Sequence, residues 1–179
     1  HRLLRAAVDS SYRLPGSWRL RHWVMNWEQV RFPEDAISAR LVCGPQIWVR
    51  PNDPIGRSIF YFGAWEKQLL ELFLASIRLG DVVLDVGANV GQFALAAASV
   101  IGGHGKVFAV EPGSEAVRLL TRSLEANSYN SVTLLPMAAW DSETTLVLDG
   151  IREDMLGWGN VLASHSPLQS GGVPARRLD

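Results

Sequence analysis

The residue types best suited to chemistry lie where two apolar segments end. The first segment, residues 82–86 (VVLDV), contains Asp85 and runs into the glycine-bracketed loop GANVG at 87–91. The second segment, residues 106–110 (KVFAV), is followed directly by Glu111. Glycines let a backbone turn sharply and approach a ligand, and a carboxylate accepts hydrogen bonds from paired hydroxyl groups. The pattern therefore predicts one site that combines a backbone loop with acidic side chains.

Alternating strands and helices are predicted to position these residues. Apolar runs typical of strands buried on both faces of a parallel sheet occur at 82–86, 106–110 and 132–136. Helices are predicted between them, at 92–101 and 114–127. Three parallel strands with two crossover helices are half of a doubly wound α/β sheet, in which ligands bind beyond the carboxyl ends of the strands. The glycine loop and the acid both fall at that edge.

The glycine spacing distinguishes between adenosine-containing cofactors. An acid after the second strand suits the hydroxyl pair of a ribose. A dinucleotide fingerprint needs Gly-x-Gly-x-x-Gly to contact a pyrophosphate, but counting from Gly87 puts Asn89 and Gln92 at the second and third glycine positions. S-adenosylmethionine carries an amino-acid tail and a sulfonium in place of phosphates, and Asp85 is placed to receive the ammonium group of that tail. The sequence therefore predicts S-adenosylmethionine as the cofactor.

A resemblance to a known family gives these residues more specific roles. VVLDVGANVGQFAL and KVFAVEPGSEAVRLLTRSLEAN resemble the FkbM family of class I S-adenosylmethionine-dependent methyltransferases, and the upstream DPIGRSIFYFGAWE resembles its lead-in. The resemblance implies a Rossmann-like, mainly parallel sheet. It also implies methylation of a hydroxyl oxygen on a sugar, polyketide or related metabolite, with a small-molecule or glycan acceptor. The cofactor-binding residues that it implies are Asp85, Gly87, Ala88, Asn89, Gly91, Glu111, Met137 and Ala138.

Two other functions stay open, and both follow from what the sequence lacks. A nicotinamide-dependent oxidoreductase is disfavoured by the broken glycine fingerprint. A cofactor-binding or interaction module without catalysis is suggested because no catalytic half is recognisable. No catalytic base is identified, since His104 precedes the second strand on the opposite edge from the site and His165 lies in a late loop. The family's fourth strand with an acidic motif is also not found, so the chain is expected to be the N-terminal part of a longer protein.

The chain is predicted to contain a flanking part, residues 1–62, and a methyltransferase domain, residues 63–179. Residues 1–34 form an arm rich in Arg and Trp, and residues 37–62 suggest a small β-meander built from ARLV, QIWV and SIFYF. An amphipathic helix is predicted at 64–80, with Trp65, Leu69, Phe73 and Ile77 on one face. The last 40 residues are expected to contain the extended pieces TTLVLD and VPARRLD around a loop.

Composition narrows the classes of partner and location. The net charge is −1, with 47% hydrophobic and 20% charged residues, which is typical of a globular domain without a field that attracts nucleic acid. No apolar stretch reaches the roughly 20 residues of a membrane span. One cysteine, Cys43, cannot form an internal disulfide, so a reducing cytoplasmic location is expected. No metal site is expected, because the spacing of Asp149, Glu153 and Asp154 fits no calcium loop.

Overall fold

The computed structural model describes residues 35–149, 160–162 and 172–179, together with Arg19. The predictions for the rest of the N-terminal arm, for His165 and for the acids at 153 and 154 lie outside these described residues. The described elements, in chain order, are β1 (Ile37–Arg40), β2 (Gln46–Val49), α1 (Pro54–Phe62), α2 (Lys67–Ser76), β3 (Val82–Val86), α3 (Gln92–Ile101), β4 (Lys106–Val110), α4 (Ser114–Asn127), β5 (Val132–Leu135), β6 (Ala138–Ala139), β7 (Thr144–Asp149), β8 (Asn160–Leu162) and β9 (Gly172–Arg176).

The centre of the fold is a parallel sheet with the strand order β3-β4-β5. The register pairs Asp85 with Ala109 and Val110 with Leu135, so the three strands end at the same edge. Helices α3 and α4 connect the strands and span the residues that the sequence predicts. The predicted Rossmann-like α/β architecture is confirmed for this part of the chain.

One hydrophobic core joins the parallel sheet, α3, α4, α1 and the β1–β2 hairpin. Alanines dominate the buried side of α3, and their small side chains let the helix backbone lie close to the strands. Burying one large aliphatic side chain stabilises the fold by about 1.5–3 kcal/mol. The fully buried large side chains of this core include Ile47, Val49, Ile59, Leu95, Ile101, Leu119 and Leu120.

The third piece of the predicted β-meander is wrong, because SIFYF (58–62) belongs to helix α1. Asp53 has an extended backbone, and its Oδ2 accepts the N–H of Gly56 at 2.8 Å, which caps the helix start. Pro54 provides the first helical residue, where a missing N–H costs nothing. Gly63 ends the helix with φ 71°. The N-terminal region is therefore a two-stranded antiparallel hairpin followed by a helix.

Helix α2 is shorter than the predicted span of 64–80. It begins after Glu66, whose backbone is left-handed (φ 49°), and ends before Ile77, whose backbone is extended (ψ 153°). Leu70 is fully buried, whereas Leu69, predicted on the same face as Phe73 and Ile77, is 48% exposed. The backbone of Trp65, just before α2, is held by reciprocal hydrogen bonds to the Gln92 side chain and does not join the helix.

The hairpin is attached to α4 through polar side chains of the helix. The Oδ1 atom of Asn127 accepts the N–H of Gln46 at 2.8 Å, and its Nδ2 donates to the Gln46 carbonyl at 2.6 Å. The hydroxyl of Ser123 accepts the N–H of Trp48 at 2.9 Å, and the Arg122 guanidinium lies 3.3 Å from the centroid of the Trp48 ring. The helix thus satisfies backbone groups on the outer edge of β2.

One face of β3 is not covered by any element in the described ranges. Val82, Leu84 and Val86 are 69%, 50% and 52% exposed, respectively. Val83 lies on the opposite face and packs against the core. The predicted burial of this strand on both faces is therefore not found in the described part of the chain, where the core packs against only one face of β3.

The residues after β5 form a second, four-stranded sheet with the strand order β6-β9-β7-β8. Strand β7 coincides with the predicted extended piece TTLVLD, and β9 overlaps VPARRLD. Ala138, Leu146 and Ala175 are buried together in this sheet. Its first strand, β6, begins three residues after the end of β5.

Candidate cofactor site

The loop between β3 and α3 is tied to the end of β4 by three consecutive backbone amides. The N–H groups of Gly87 and Ala88 both donate to the carbonyl of Val110, at 2.9 and 3.0 Å. The N–H of Asn89 donates to Oε2 of Glu111 at 2.8 Å. The structure therefore brings together the glycine loop and the acid after β4, which are 22 residues apart in sequence.

The other two amides of the loop also have partners within the protein. The N–H of Val90 donates to Oδ1 of Asn89 at 2.7 Å, and the N–H of Gly91 donates to the Ala88 carbonyl at 2.8 Å. Binding a diphosphate at such a loop requires backbone N–H groups that point at the ligand. Because all five amides of residues 87–91 are already used, this loop offers no such cradle.

The two glycines of the loop serve different purposes. Both have a left-handed backbone, with φ 79° at Gly87 and φ 90° at Gly91. A Cβ at Gly87 would meet nothing within 4 Å, whereas a Cβ at Gly91 would lie 2.2 Å from Cδ1 of Leu120 on α4. Gly87 therefore leaves open space beside the loop, and Gly91 lets α4 pack against it.

Asp85 is a half-buried acid beside the start of α3. The N-cap residue Gly91 has no side chain to cap the helix, and the Asp85 carboxylate accepts the N–H of Ala94 in the first helical turn instead. Its Oδ2 is buried and has no hydrogen-bond partner in the described part of the structure. Burial, together with the nearby charge of Glu111, raises the pKa of Asp85 to about 6. A cation that reached Oδ2 would favour the ionised form.

Glu111 is 9% exposed, and both of its carboxylate oxygens accept backbone hydrogen bonds. Oε2 accepts from Asn89 at 2.8 Å, and Oε1 accepts from Gly113 at 2.7 Å. Burial raises the pKa of Glu111, and these two bonds oppose the rise. An ionised carboxylate has about four lone-pair positions, so each oxygen keeps one position for a further donor.

The other predicted site residues contribute backbone more than side chain. Ala88 is 6% exposed and packs in the main core, and Ala138 is 4% exposed and packs in the second sheet. Met137 is half-buried directly after β5, and its N–H donates to the Leu135 carbonyl at 2.9 Å. His104 is exposed two residues before β4, at the edge of the sheet opposite the glycine loop.

Gln92 holds the chain next to the loop, a role that its sequence position did not indicate, because there it is only a departure from the dinucleotide fingerprint. Its side chain is 5% exposed and bonds reciprocally to Trp65: Oε1 accepts the Trp65 N–H at 2.6 Å, and Nε2 donates to the Trp65 carbonyl at 2.9 Å. These bonds hold the segment before α2 against the residue that follows the loop. The sequence indicates this role only through the amide side chain of Gln92, which is the polar residue in the otherwise apolar first turn of α3.

In the described ranges, no group of three or more His, Cys, Asp and Glu side chains is arranged to hold a metal ion. Of the helices that the structure describes, none has both the length and the apolar character needed to cross a membrane.

Comparison with known proteins identifies methyltransferases as relatives. No family model matches the chain. A probable cobalt-precorrin-6B C(15)-methyltransferase (decarboxylating) of Sulfolobus acidocaldarius is 31% identical over 90 residues, which are 50% of this chain and 44% of that protein. The protein with the same name in Sulfurisphaera tokodaii is 29% identical over 113 residues, 60% of this chain and 58% of that protein. The chain thus spans about half the length of the curated relatives that it matches.

A solved structure is also similar to part of the chain. A SAM-dependent O-methyltransferase of Thermotoga maritima is 21% identical, with a TM-score of 0.40, over 63% of this chain and 45% of that chain. The sequence relatives support the predicted cofactor, S-adenosylmethionine, and methyltransferase chemistry at the level of the reaction class. The chain is therefore similar to class I S-adenosylmethionine-dependent methyltransferases.

Proposed function

We propose that this chain is the S-adenosylmethionine-binding part of a methyltransferase that methylates a hydroxyl oxygen of a sugar, polyketide or related small molecule. The observation that carries the cofactor assignment is the state of the loop amides at 87–91. All five are engaged within the protein, which disfavours a diphosphate and leaves the cofactor's uncharged nucleoside and its amino-acid tail as the groups to be recognised.

The polar groups of the site match the parts of this cofactor. The two remaining lone-pair positions of Glu111, one on each oxygen, suit the two hydroxyls of a ribose. The unpartnered Oδ2 of Asp85 suits the ammonium group of the tail, and the open space at Gly87 gives the tail room. Met137, directly after β5, is a candidate for contact with the adenine. S-adenosylmethionine, when bound, supplies an activated methyl group to an acceptor nucleophile.

The sequence relatives differ in the atom that their names give as the methyl acceptor. The two cobalt-precorrin relatives are named for methylation at a carbon, C(15), whereas another relative, from Ignicoccus hospitalis, is named a protein-L-isoaspartate O-methyltransferase. Oxygen as the acceptor and membership of the FkbM family are supported by the sequence resemblance, and a cytoplasmic location is supported by the single cysteine, Cys43. On this proposal the proton-removing base is contributed by residues other than His104, which lies at the opposite edge of the sheet.

The proposal is tested by comparing two ligands and then a reaction. S-adenosylhomocysteine is expected to raise the melting temperature of the full chain, while NAD at the same concentration leaves it unchanged. Equal stabilisation by NAD would favour the nicotinamide-dependent alternative. Transfer of a radiolabelled methyl group to a panel of hydroxylated small molecules then tests the acceptor class. Binding without transfer to any acceptor would favour a module that binds the cofactor without catalysis.

A further inference from the structure

We propose that Glu111 is a positioning residue that couples the two halves of the cofactor site: the same carboxylate that receives the ribose also anchors the loop that receives the amino-acid tail. This inference rests on the proposed function and adds a role to a residue that was expected only to bind a ribose. Its physical basis is the pair of backbone hydrogen bonds that the carboxylate accepts.

The hydrogen bond from Glu111 acts on Asn89, the residue of the loop that has a left-handed backbone without being a glycine. Asn89 has a left-handed backbone (φ 49°), which costs about 1 kcal/mol for a residue with a Cβ. Its N–H is held by Oε2 of Glu111 at 2.8 Å, while its own Oδ1 holds the N–H of Val90 at 2.7 Å. Breaking the bond to Glu111 therefore releases the central residue of the loop from the end of β4.

The other end of the carboxylate is fixed at the start of α4. Oε1 accepts the N–H of Gly113 at 2.7 Å, and a Cβ at Gly113 would lie 2.9 Å from that oxygen. The carboxylate thus bridges the loop after β3 and the turn after β4. A ribose that fills the remaining lone-pair position on each oxygen holds the carboxylate in this orientation, and so strengthens the hold on Asn89. By linkage, an ordered loop also favours ribose binding.

The substitution Glu111→Gln separates this role from ribose binding alone. Glutamine has the same shape, but only one of its two terminal atoms accepts hydrogen bonds. It can therefore serve either Asn89 or Gly113, and its amide N–H₂ opposes the other backbone donor. A hydroxyl pair can still bind glutamine, because a hydroxyl both donates and accepts. The control Glu125→Gln removes the same charge from an exposed position on α4.

The experiment measures the exchange rate of the Asn89 amide proton by nuclear magnetic resonance in the full chain. Adenosine is the probe, because it has the ribose but lacks the amino-acid tail. In the unsubstituted protein, adenosine should slow exchange at Asn89 about tenfold, the effect of one strengthened hydrogen bond. In Glu111→Gln, the single acceptor serves only one of the two donors, so the ligand-free exchange rate of Asn89 or of Gly113 should be about tenfold faster. Adenosine should then bind without slowing exchange at both amides together. Glu125→Gln should behave as the unsubstituted protein.

The results distinguish this inference from the proposed function. If adenosine binds the unsubstituted protein and the Asn89 exchange rate does not change, the coupling is absent, although the cofactor assignment stands. If adenosine slows Asn89 equally in Glu111→Gln, the coupling runs through another group and the inference is wrong. If adenosine does not bind at a saturating concentration, the proposed function fails, and this inference fails with it.

Discussion

Two acids, the buried Glu111 and the half-buried Asp85, determine the charge of the candidate site. Asp85 and Glu111 lie at the ends of neighbouring strands, and burial raises the pKa of both side chains. The charge of Glu111 also raises the pKa of Asp85, which is the cost of placing two carboxylates in one cavity. A ligand with an ammonium group and a sulfonium reduces that cost. Without ligand, the protein is therefore expected to be less stable at neutral pH than a variant with a neutral side chain at position 85.

The substitution Asp85→Asn tests this account through its pH dependence. The pKa of Asp85 in the folded protein, about 6, is above the usual value of 3.8, so its stabilising contribution is complete below pH 3.8 and is lost as the pH rises through 6. The ligand-free variant should therefore gain stability relative to the unsubstituted protein between pH 4 and pH 7, by about 2 kcal/mol. Urea unfolding at the two pH values measures the difference.

The same variant should bind S-adenosylhomocysteine more weakly at neutral pH, because an amide cannot pair with an ammonium as a charge. Calorimetric titration of the cofactor product measures the loss, which we expect to be about tenfold or more. An equal change in stability at both pH values, with unchanged binding, would show that Asp85 only caps α3 through Ala94.

Substitution of the two loop glycines by alanine is expected to have contrasting effects on stability and on cofactor binding. Gly91→Ala places a Cβ against Leu120 at a left-handed position and should destabilise the protein by about 2–4 kcal/mol. Gly87→Ala meets no atom, so its stability cost should be limited to about 1 kcal/mol for the left-handed backbone, while cofactor binding weakens. Thermal unfolding and calorimetry of both variants test the contrast. Similar stability losses, with binding unaffected by Gly87→Ala, would contradict it.

At the scale of secondary structure elements, the sequence predicted the centre of the fold better than its surroundings. Strands β3 and β4 and helices α3 and α4 have the predicted bounds, because buried apolar runs alternate there with helical periodicity and glycine-rich breaks. The run SIFYF was wrongly predicted to be a strand, since four consecutive apolar residues do not distinguish the strand period from the helix period. The deciding signal was the Asp53–Pro54 pair, which starts a helix.

The site was predictable to the extent that it follows from the topology. Parallel strands that end at one edge bring the glycine loop and Glu111 together, whatever their distance in sequence. The partners of Asp85 and Gly91 were not predictable, because they depend on where α3 and α4 settle against the loop. The reciprocal bonds between Gln92 and Trp65 likewise join residues 27 positions apart and leave no periodic signal.

Because Asn127 attaches the hairpin to α4, substitution of this residue is expected to have a large effect on the stability of the protein. Asn127→Ala removes two hydrogen bonds to Gln46 and one to the Ser123 carbonyl, and it leaves backbone groups of β2 without partners. The expected loss of stability is about 2–3 kcal/mol. The control Asn130→Ala changes an exposed position and should cost less than about 0.5 kcal/mol. Urea unfolding gives both values, and equal losses would show that the hairpin does not depend on this contact.

At the scale of the whole molecule, the core lies on one side of the parallel sheet. The opposite face of β3 exposes Val82, Leu84 and Val86 in the described part of the chain. Leu84→Asn should therefore change the stability of the 179-residue chain by less than about 1 kcal/mol. Leu119→Ala, in the core, should cost about 2–5 kcal/mol. Urea unfolding measures both effects.

A cost for Leu84→Asn as large as that for Leu119→Ala would contradict the exposed face. It would mean that residues outside the described ranges, or a second molecule, cover Leu84. Dependence of the cost on protein concentration would separate these two explanations, because only association between molecules varies with concentration.

The most direct test of the cofactor assignment is a crystal structure of the protein grown with S-adenosylhomocysteine. We predict that the ribose hydroxyls lie within hydrogen-bond distance of the two Glu111 carboxylate oxygens. We also predict that the amino-acid tail lies beside Gly87, with its ammonium group directed at Oδ2 of Asp85. A ligand bound elsewhere, or a site that stays empty at a high ligand concentration, would contradict the cofactor assignment.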